Sequence, residues 1–128
     1  YYKINKDKEM IKLTQKEEEI LRYFWIHGAM FIRELLELQD EPKPHYNTLS
    51  TIVRTLEEKG YIGYKQYGNT YQYYALISEN EYNGTTLSDV VHKYFGNSYT
   101  RVVSTLIKEE KLSIEELQDL IKQIKGQD

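Results

Sequence analysis

Between His45 and Gly60 the chain reads Tyr46-Asn47-Thr48-Leu49-Ser50-Thr51-Ile52-Val53-Arg54-Thr55-Leu56. Leu49, Ile52, Val53 and Leu56 recur at i, i+3, i+4 and i+7, the spacing of one buried stripe on an α-helix. The opposite face then carries Asn47, Thr48, Ser50, Thr51, Arg54 and Thr55. Short hydroxyls and amides bond phosphate oxygens or base edges, a threonine methyl meets a thymine methyl, and a guanidinium grips phosphate or reads guanine. A merely solvated face would show the same periodicity, but it would favour Glu and Lys. Residues 47–51 contain neither. The face suits close approach to another polymer.

The flanking segments supply the frame. Thr14 and Glu17 have capping-box spacing, so a first helix is expected from about Gln15, buried through Ile20, Leu21, Phe24 and Trp25 and ended near His27 by Gly28. Ile32, Leu35 and Leu36 mark a short second helix. Pro42 and Pro44 break the chain before the third, at about residues 46–59. Tyr61 to Gln66 and Tyr71 to Leu76, joined through Gly68, read as one β-hairpin with Lys65 on it. Three helices and a hairpin is the order of a winged helix-turn-helix, in which the third helix reads the major groove.

After Ser78 the pattern returns to helices, with apolar stripes through Leu87, Val91 and Phe95, then Val103, Leu106 and Ile107, then Leu117, Leu120, Ile121 and Ile124. The last helix opens on a second capping box, Ser113 with Glu116. Three short helices cannot bury these stripes alone, and we expect them to meet across two chains. The expected architecture is mainly α with a small β-hairpin. A winged helix-turn-helix domain occupies residues 1–77, including an N-terminal extension over 1–12, and a helical dimerisation segment occupies 78–128.

These residues also carry a resemblance. Leu13-Thr14 with Glu17-Glu18 and Trp25, the run from Tyr46 to Leu56 with Lys59-Gly60, the hairpin end Tyr71-Gln72-Tyr73-Tyr74-Ala75-Leu76, and the junctions Gly96-Asn97-Ser98 and Leu112-Ser113 resemble the penicillinase-repressor (BlaI/MecI) family of bacterial transcription regulators, over roughly residues 13–125. The resemblance implies a repressor whose N-terminal domain binds operator DNA and whose C-terminal helices form the homodimer. It makes Thr48, Thr51, Arg54 and Thr55 the recognition-helix contacts and Lys65 with neighbouring hairpin residues the wing contacts, and Asn47 and Ser50 on the same polar face complete the expected DNA-binding set. β-Lactam-responsive members are inactivated by cleavage of an Asn-Phe bond in the penultimate helix. Here the aligned pair is Thr105-Leu106, so that inducer is not implied. Copper-responsive relatives use C-terminal cysteines, and this chain has none.

Charge and composition set limits on the reading. The 128 residues carry a formal net charge of −3. The 11 basic and 11 acidic groups of residues 1–76 balance, and the excess of acid lies in residues 77–128. Phosphate contacts are therefore expected from the first part, through Arg54, Lys59 and Lys65, supplemented by Lys3, Lys6, Lys8 and Lys12. The near-neutral balance keeps a winged-helix protein-interaction module open as the alternative. A regulator sensing metal through His and carboxylates is a lesser one, since His27, His45 and His92 lack a second ligand at helical spacing. Glu17-Glu18-Glu19 suits the positive end of a helix dipole better than catalysis. With no cysteine, phosphate loop or acid–base cluster, neither an enzyme nor a cofactor is expected. No run of roughly 18 apolar residues or signal peptide is apparent, so no membrane association and a cytoplasmic location are expected.

Overall fold

The computed structural model describes residues 11–126. Lys3, Lys6 and Lys8 of the expected cationic supplement lie outside them. The elements run α1 (Gln15–His27), β1 (Met30–Phe31), α2 (Ile32–Glu37), α3 (Tyr46–Glu58), β2 (Ile62–Tyr67), β3 (Thr70–Ala75), α4 (Glu79–Phe95), α5 (Tyr99–Lys108) and α6 (Ile114–Lys125). This is the winged-helix order expected from the sequence, with one addition. The hairpin is part of a three-stranded antiparallel sheet, ordered β1-β3-β2, in which Met30 pairs with Tyr73 and Phe31 with Gln72. Two residues are too few to show an alternation, so β1 left no periodic trace.

The capping boxes form as spaced. Thr14 N–H donates to Glu17 Oε1 (2.9 Å) and Glu17 N–H to Thr14 Oγ1 (3.2 Å). The core then collects Ile20, Leu21 and Phe24 from α1, Leu35 from α2, and Leu49, Val53 and Leu56 from α3, closed by Tyr61, Ile62 and Tyr73 of the sheet region. Helix α3 ends in a Schellman motif: Tyr61 N–H reaches Leu56 O, Gly60 N–H reaches Glu57 O, and Gly60 takes the positive φ (90°) this requires. At the hairpin tip Gly68 is the first residue of a two-residue turn and takes a positive φ (60°) that residues with a β-carbon rarely adopt.

Two compact units are present, one reaching Asn83 and the other starting at Gly84, so the division falls inside α4 rather than ahead of it. The reason is aromatic packing. The Trp25 indole N–H donates to Ile77 O (2.8 Å), and Tyr82 on the first turns of α4 meets the rings of Trp25 and Tyr61 and bonds Glu18. The second unit holds the rest of α4 with α5 and α6, capped by Ser98 and by the reciprocal pair Ser113 and Glu116. Val91 is fully buried there.

One carboxylate links the two ends of the first unit. Glu17 Oε1, already the cap of α1, accepts from Lys59 Nζ at 2.7 Å, with Glu17 and Lys59 side chains only 10% and 23% exposed. Burial opposes ionisation of Glu17, but the Lys59 ammonium and the Thr14 hydrogen bonds outweigh it and hold the carboxyl below its ordinary value. A depressed folded-state pKa gives stability that is present above the unfolded value and lost as pH falls through the folded one. Glu17→Gln should therefore cost about 1–3 kcal/mol near neutrality, as expected for a charged hydrogen bond. In urea titrations that difference should shrink below about pH 4. An equal gap at neutral and acid pH would contradict the pair's role.

Candidate nucleic-acid interface

Helix α3 buries Leu49, Val53 and Leu56 completely, which turns the remaining faces outward. Asn47, Thr48, Thr51 and Arg54 are exposed and Thr55 is half-buried. Ser50 departs from the expected face: it is buried, 8% exposed, on the floor of a cleft walled by Phe31, Ile32 and Tyr73. Its place beside Leu49 puts it on the flank that α2 and the sheet cover, so it cannot meet another polymer edge-on as its neighbours can.

The threonines are more constrained than their types suggest. Thr51 Oγ1 donates to Asn47 O and Thr55 Oγ1 to Thr51 O, both at 2.9 Å. Donors turned back on the helix leave the oxygen lone pairs and the methyl groups outward. That arrangement matches base-edge amino donors and thymine methyls better than phosphate oxygens.

Cations near this face are few. Arg54 and Arg33 are exposed, and no ion pair among the described residues involves either of them. Lys65 is exposed on β2, its Nζ 5.5 Å from the centre of the Tyr67 ring. Lys59, expected from the sequence to serve phosphate, is instead held inside by Glu17 and by Lys12 O (3.2 Å). Burial raises the Tyr73 phenol above its usual value, with the Glu57 charge adding and Arg54 opposing, which keeps that ring neutral beside the guanidinium.

The turn before α3 is held by a residue the sequence reading passed over. Lys43 Nζ donates to Gln39 O (2.8 Å), Glu37 O (3.0 Å) and Leu36 O (3.5 Å), while Gln39 Nε2 donates to Leu35 O (3.0 Å). An ammonium over the last carbonyls of α2 answers both their unmet hydrogen bonds and the negative end of the dipole. Only a lysine within reach of a helix C-terminus signals such a cap in sequence.

The second unit presents a different surface. Of the apolar residues expected to join two chains, Val91 is buried within this chain and cannot serve as a contact. Phe95, Val103, Ile107 and Leu117 are half-buried, and Leu87, Leu106, Leu120, Ile121 and Ile124 stay exposed, Ile124 by 58%. Val90, Tyr94, Tyr99 and Ile114 are exposed as well.

Among the described residues no helix is long and apolar enough to cross a membrane, and no group of three or more His, Cys, Asp and Glu is placed to hold a metal ion. The helices α1 to α3, with β1 and the hairpin behind them, define a winged-helix regulator. Residues 13–126 match the penicillinase repressor family, and the chain belongs to that family of transcriptional repressors. It is 25% identical over 117 residues to the methicillin resistance regulatory protein MecI of Staphylococcus aureus (strain N315), covering 89% of this chain and 94% of that one. The MecI protein of Mammaliicoccus sciuri is similar to the same extent. An uncharacterised 16.5 kDa protein of Latilactobacillus sakei is 26% identical over 115 residues, 86% of this chain and 78% of that protein.

Because Lys43 fixes the bend between α2 and α3, Lys43→Met should lower the unfolding free energy by about 1 kcal/mol, the scale of a partly exposed helix-terminal charge. Equilibrium urea denaturation reads this directly. Unchanged stability would mean the three carbonyls are as well served by water.

Proposed function

We propose that this repressor binds a palindromic operator in double-stranded DNA as a homodimer, in the cytoplasm and without a cofactor or any catalytic step. Helix α3 enters the major groove and the hairpin lies along the flanking backbone. The observation that carries the reading is the outward face of α3, where Asn47, Thr48, Thr51 and an unpaired Arg54 stand exposed on a helix whose other side is wholly buried. Thr55 contributes at the margin, Ser50 supports the cleft from below, and Lys65 serves the wing. The family of repressors and the regulatory names of its relatives support the same role.

The dimer is assigned to the second unit, where Leu87, Leu106, Leu120, Ile121 and Ile124 stay exposed at the helical spacing of apolar stripes. A two-fold axis there would set the two α3 helices about 34–36 Å apart, one turn of duplex. The near-neutral charge of the first part favours one competing reading, a protein-interaction module using the same face.

Arg54→Ala should weaken binding to duplexes from the protein's own upstream region by about tenfold or more, since a dimer loses two charged contacts, with thermal stability little changed. Fluorescence anisotropy measures it, and equal affinity would remove Arg54 from the interface. With Lys59 withheld, about two or three cations per subunit remain. The slope of log affinity against log salt should then be on the order of −4 to −5. No binding above a scrambled duplex at any salt would transfer the face to a protein partner. For assembly, Leu120→Glu with Ile124→Glu should yield a folded monomer in sedimentation equilibrium, because both side chains are already outside the chain's own core. A stable dimer in that variant would place the contact elsewhere.

A further inference from the structure

The tyrosines of the hairpin raise a question the operator reading leaves open, namely how so few cations hold a duplex. An open cleft of about 550 Å³ lies between the outward flank of α3, the start of α2 and the hairpin. Its polar lining combines Arg33 and Arg54 with the side chains of Tyr46, Asn47, Asn69 and Tyr71. Glu34 also lines it, but its Oε1 already accepts from Phe31 N–H (2.9 Å), at the start of α2. The cleft is thus weakly cationic and rich in neutral donors.

Tyr46 is 50% exposed and Tyr71 40% exposed. Among the described residues no hydrogen bond within the chain takes either phenol hydroxyl. The Tyr71 ring is fixed, stacked on Tyr64 at 4.4 Å between centres and set edge-on to Tyr73 at 6.3 Å. A rigid ring with an unused hydroxyl, in a cleft holding two unpaired guanidiniums, is a preorganised donor for an anionic oxygen.

Resting on the operator reading, we propose that this cleft seats one sugar–phosphate strand of the duplex, with the Tyr46 and Tyr71 hydroxyls donating to phosphate on either side of Arg54. Phenols carry no charge, so their bonds to phosphate release no counterion. They add affinity without adding salt dependence, and they position the duplex without reading its sequence. The cleft would take the backbone of any duplex, while the exposed edge of α3 selects among them.

The test uses the full chain and two duplexes of about 30 base pairs, one from its own upstream region and one scrambled, long enough for two half-sites. Tyr46→Phe combined with Tyr71→Phe keeps both rings and their stacking, so the melting temperature should not move. Affinity for both duplexes should fall by about tenfold or more, as four neutral hydrogen bonds are lost from the dimer. The salt slope should stay within about half a unit of the wild type, whereas Arg54→Ala should flatten it by about two units. Unchanged affinity in the double phenylalanine variant, or a slope that flattens with it, overturns the cleft assignment while leaving the operator reading intact. If the wild-type dimer binds neither duplex, the operator reading fails and the cleft assignment fails with it.

Discussion

Glu17 holds the beginning of α1 and the end of α3 with a single carboxylate. One oxygen accepts from Thr14 N–H and from the Lys59 ammonium, whose other acceptor is Lys12 O. A helix that presents its side chains to a partner must be fixed at the end the partner does not touch. For α3 that end carries the Schellman turn at Gly60, the buried Tyr61 behind it and the Lys59 pair in front. The far end is set by Lys43, which closes α2 and so determines where α3 begins. Between these two anchors Leu49, Val53 and Leu56 have no freedom to rotate the helix, because each is fully buried. The direction of Arg54 and of the outward threonines is therefore a property of the whole three-helix unit.

The same ion pair has a cost in recognition. Withdrawing Lys59 into the fold leaves only a few exposed cations beside α3, in a segment, residues 1–76, whose basic and acidic groups balance. Under the operator reading such a protein cannot rely on bulk electrostatics, and a polyanion would be held by directed hydrogen bonds and shape. The composition of the hairpin is consistent with this. Tyr64, Tyr67, Tyr71 and Tyr74 stand exposed where lysines would serve a purely electrostatic wing. Aromatic side chains lose little rotamer entropy on contact, and cross-strand stacking has already removed part of what they have at Tyr64 and Tyr71.

Much of this was legible in the sequence, and the reasons differ by element. Capping boxes at Thr14 and Ser113 and the i, i+3, i+4, i+7 stripe of α3 are local signals, and the structure honours each of them. The family resemblance extends them over roughly residues 13–125, and the penicillinase repressor family matches residues 13–126. What local pattern could not show is which flank of a helix a distant segment covers. Ser50 sits on the polar side of the α3 pattern yet is buried in a cleft it shares with Phe31 and Ile32, and Val91 belongs to a stripe expected to meet a second chain yet is, among the described residues of the second unit, the one fully buried. Lys59 reads as a free cation in the sequence because its partner is 42 positions away. The two-residue strand β1 depends wholly on pairing with β3.

The two units differ in how completely each finishes its own core. The first buries aliphatic and aromatic residues from α1 to α3 and from the sheet, whereas among the described residues of the second Val91 alone reaches full burial and Leu87, Leu106, Leu120, Ile121 and Ile124 stay exposed. Helices of 10 to 12 residues such as α5 and α6 are marginal without tertiary packing. If a second copy supplies that packing, folding of the C-terminal helices and association become one equilibrium, dependent on protomer concentration. Under the operator reading, affinity for DNA then inherits the same dependence, because two linked α3 helices gain an effective concentration that a single one lacks. Under the proposed reading, a signal acting only on α4 to α6 releases the DNA without altering any residue of the α3 face, which is the physical advantage of placing recognition and assembly on separate units.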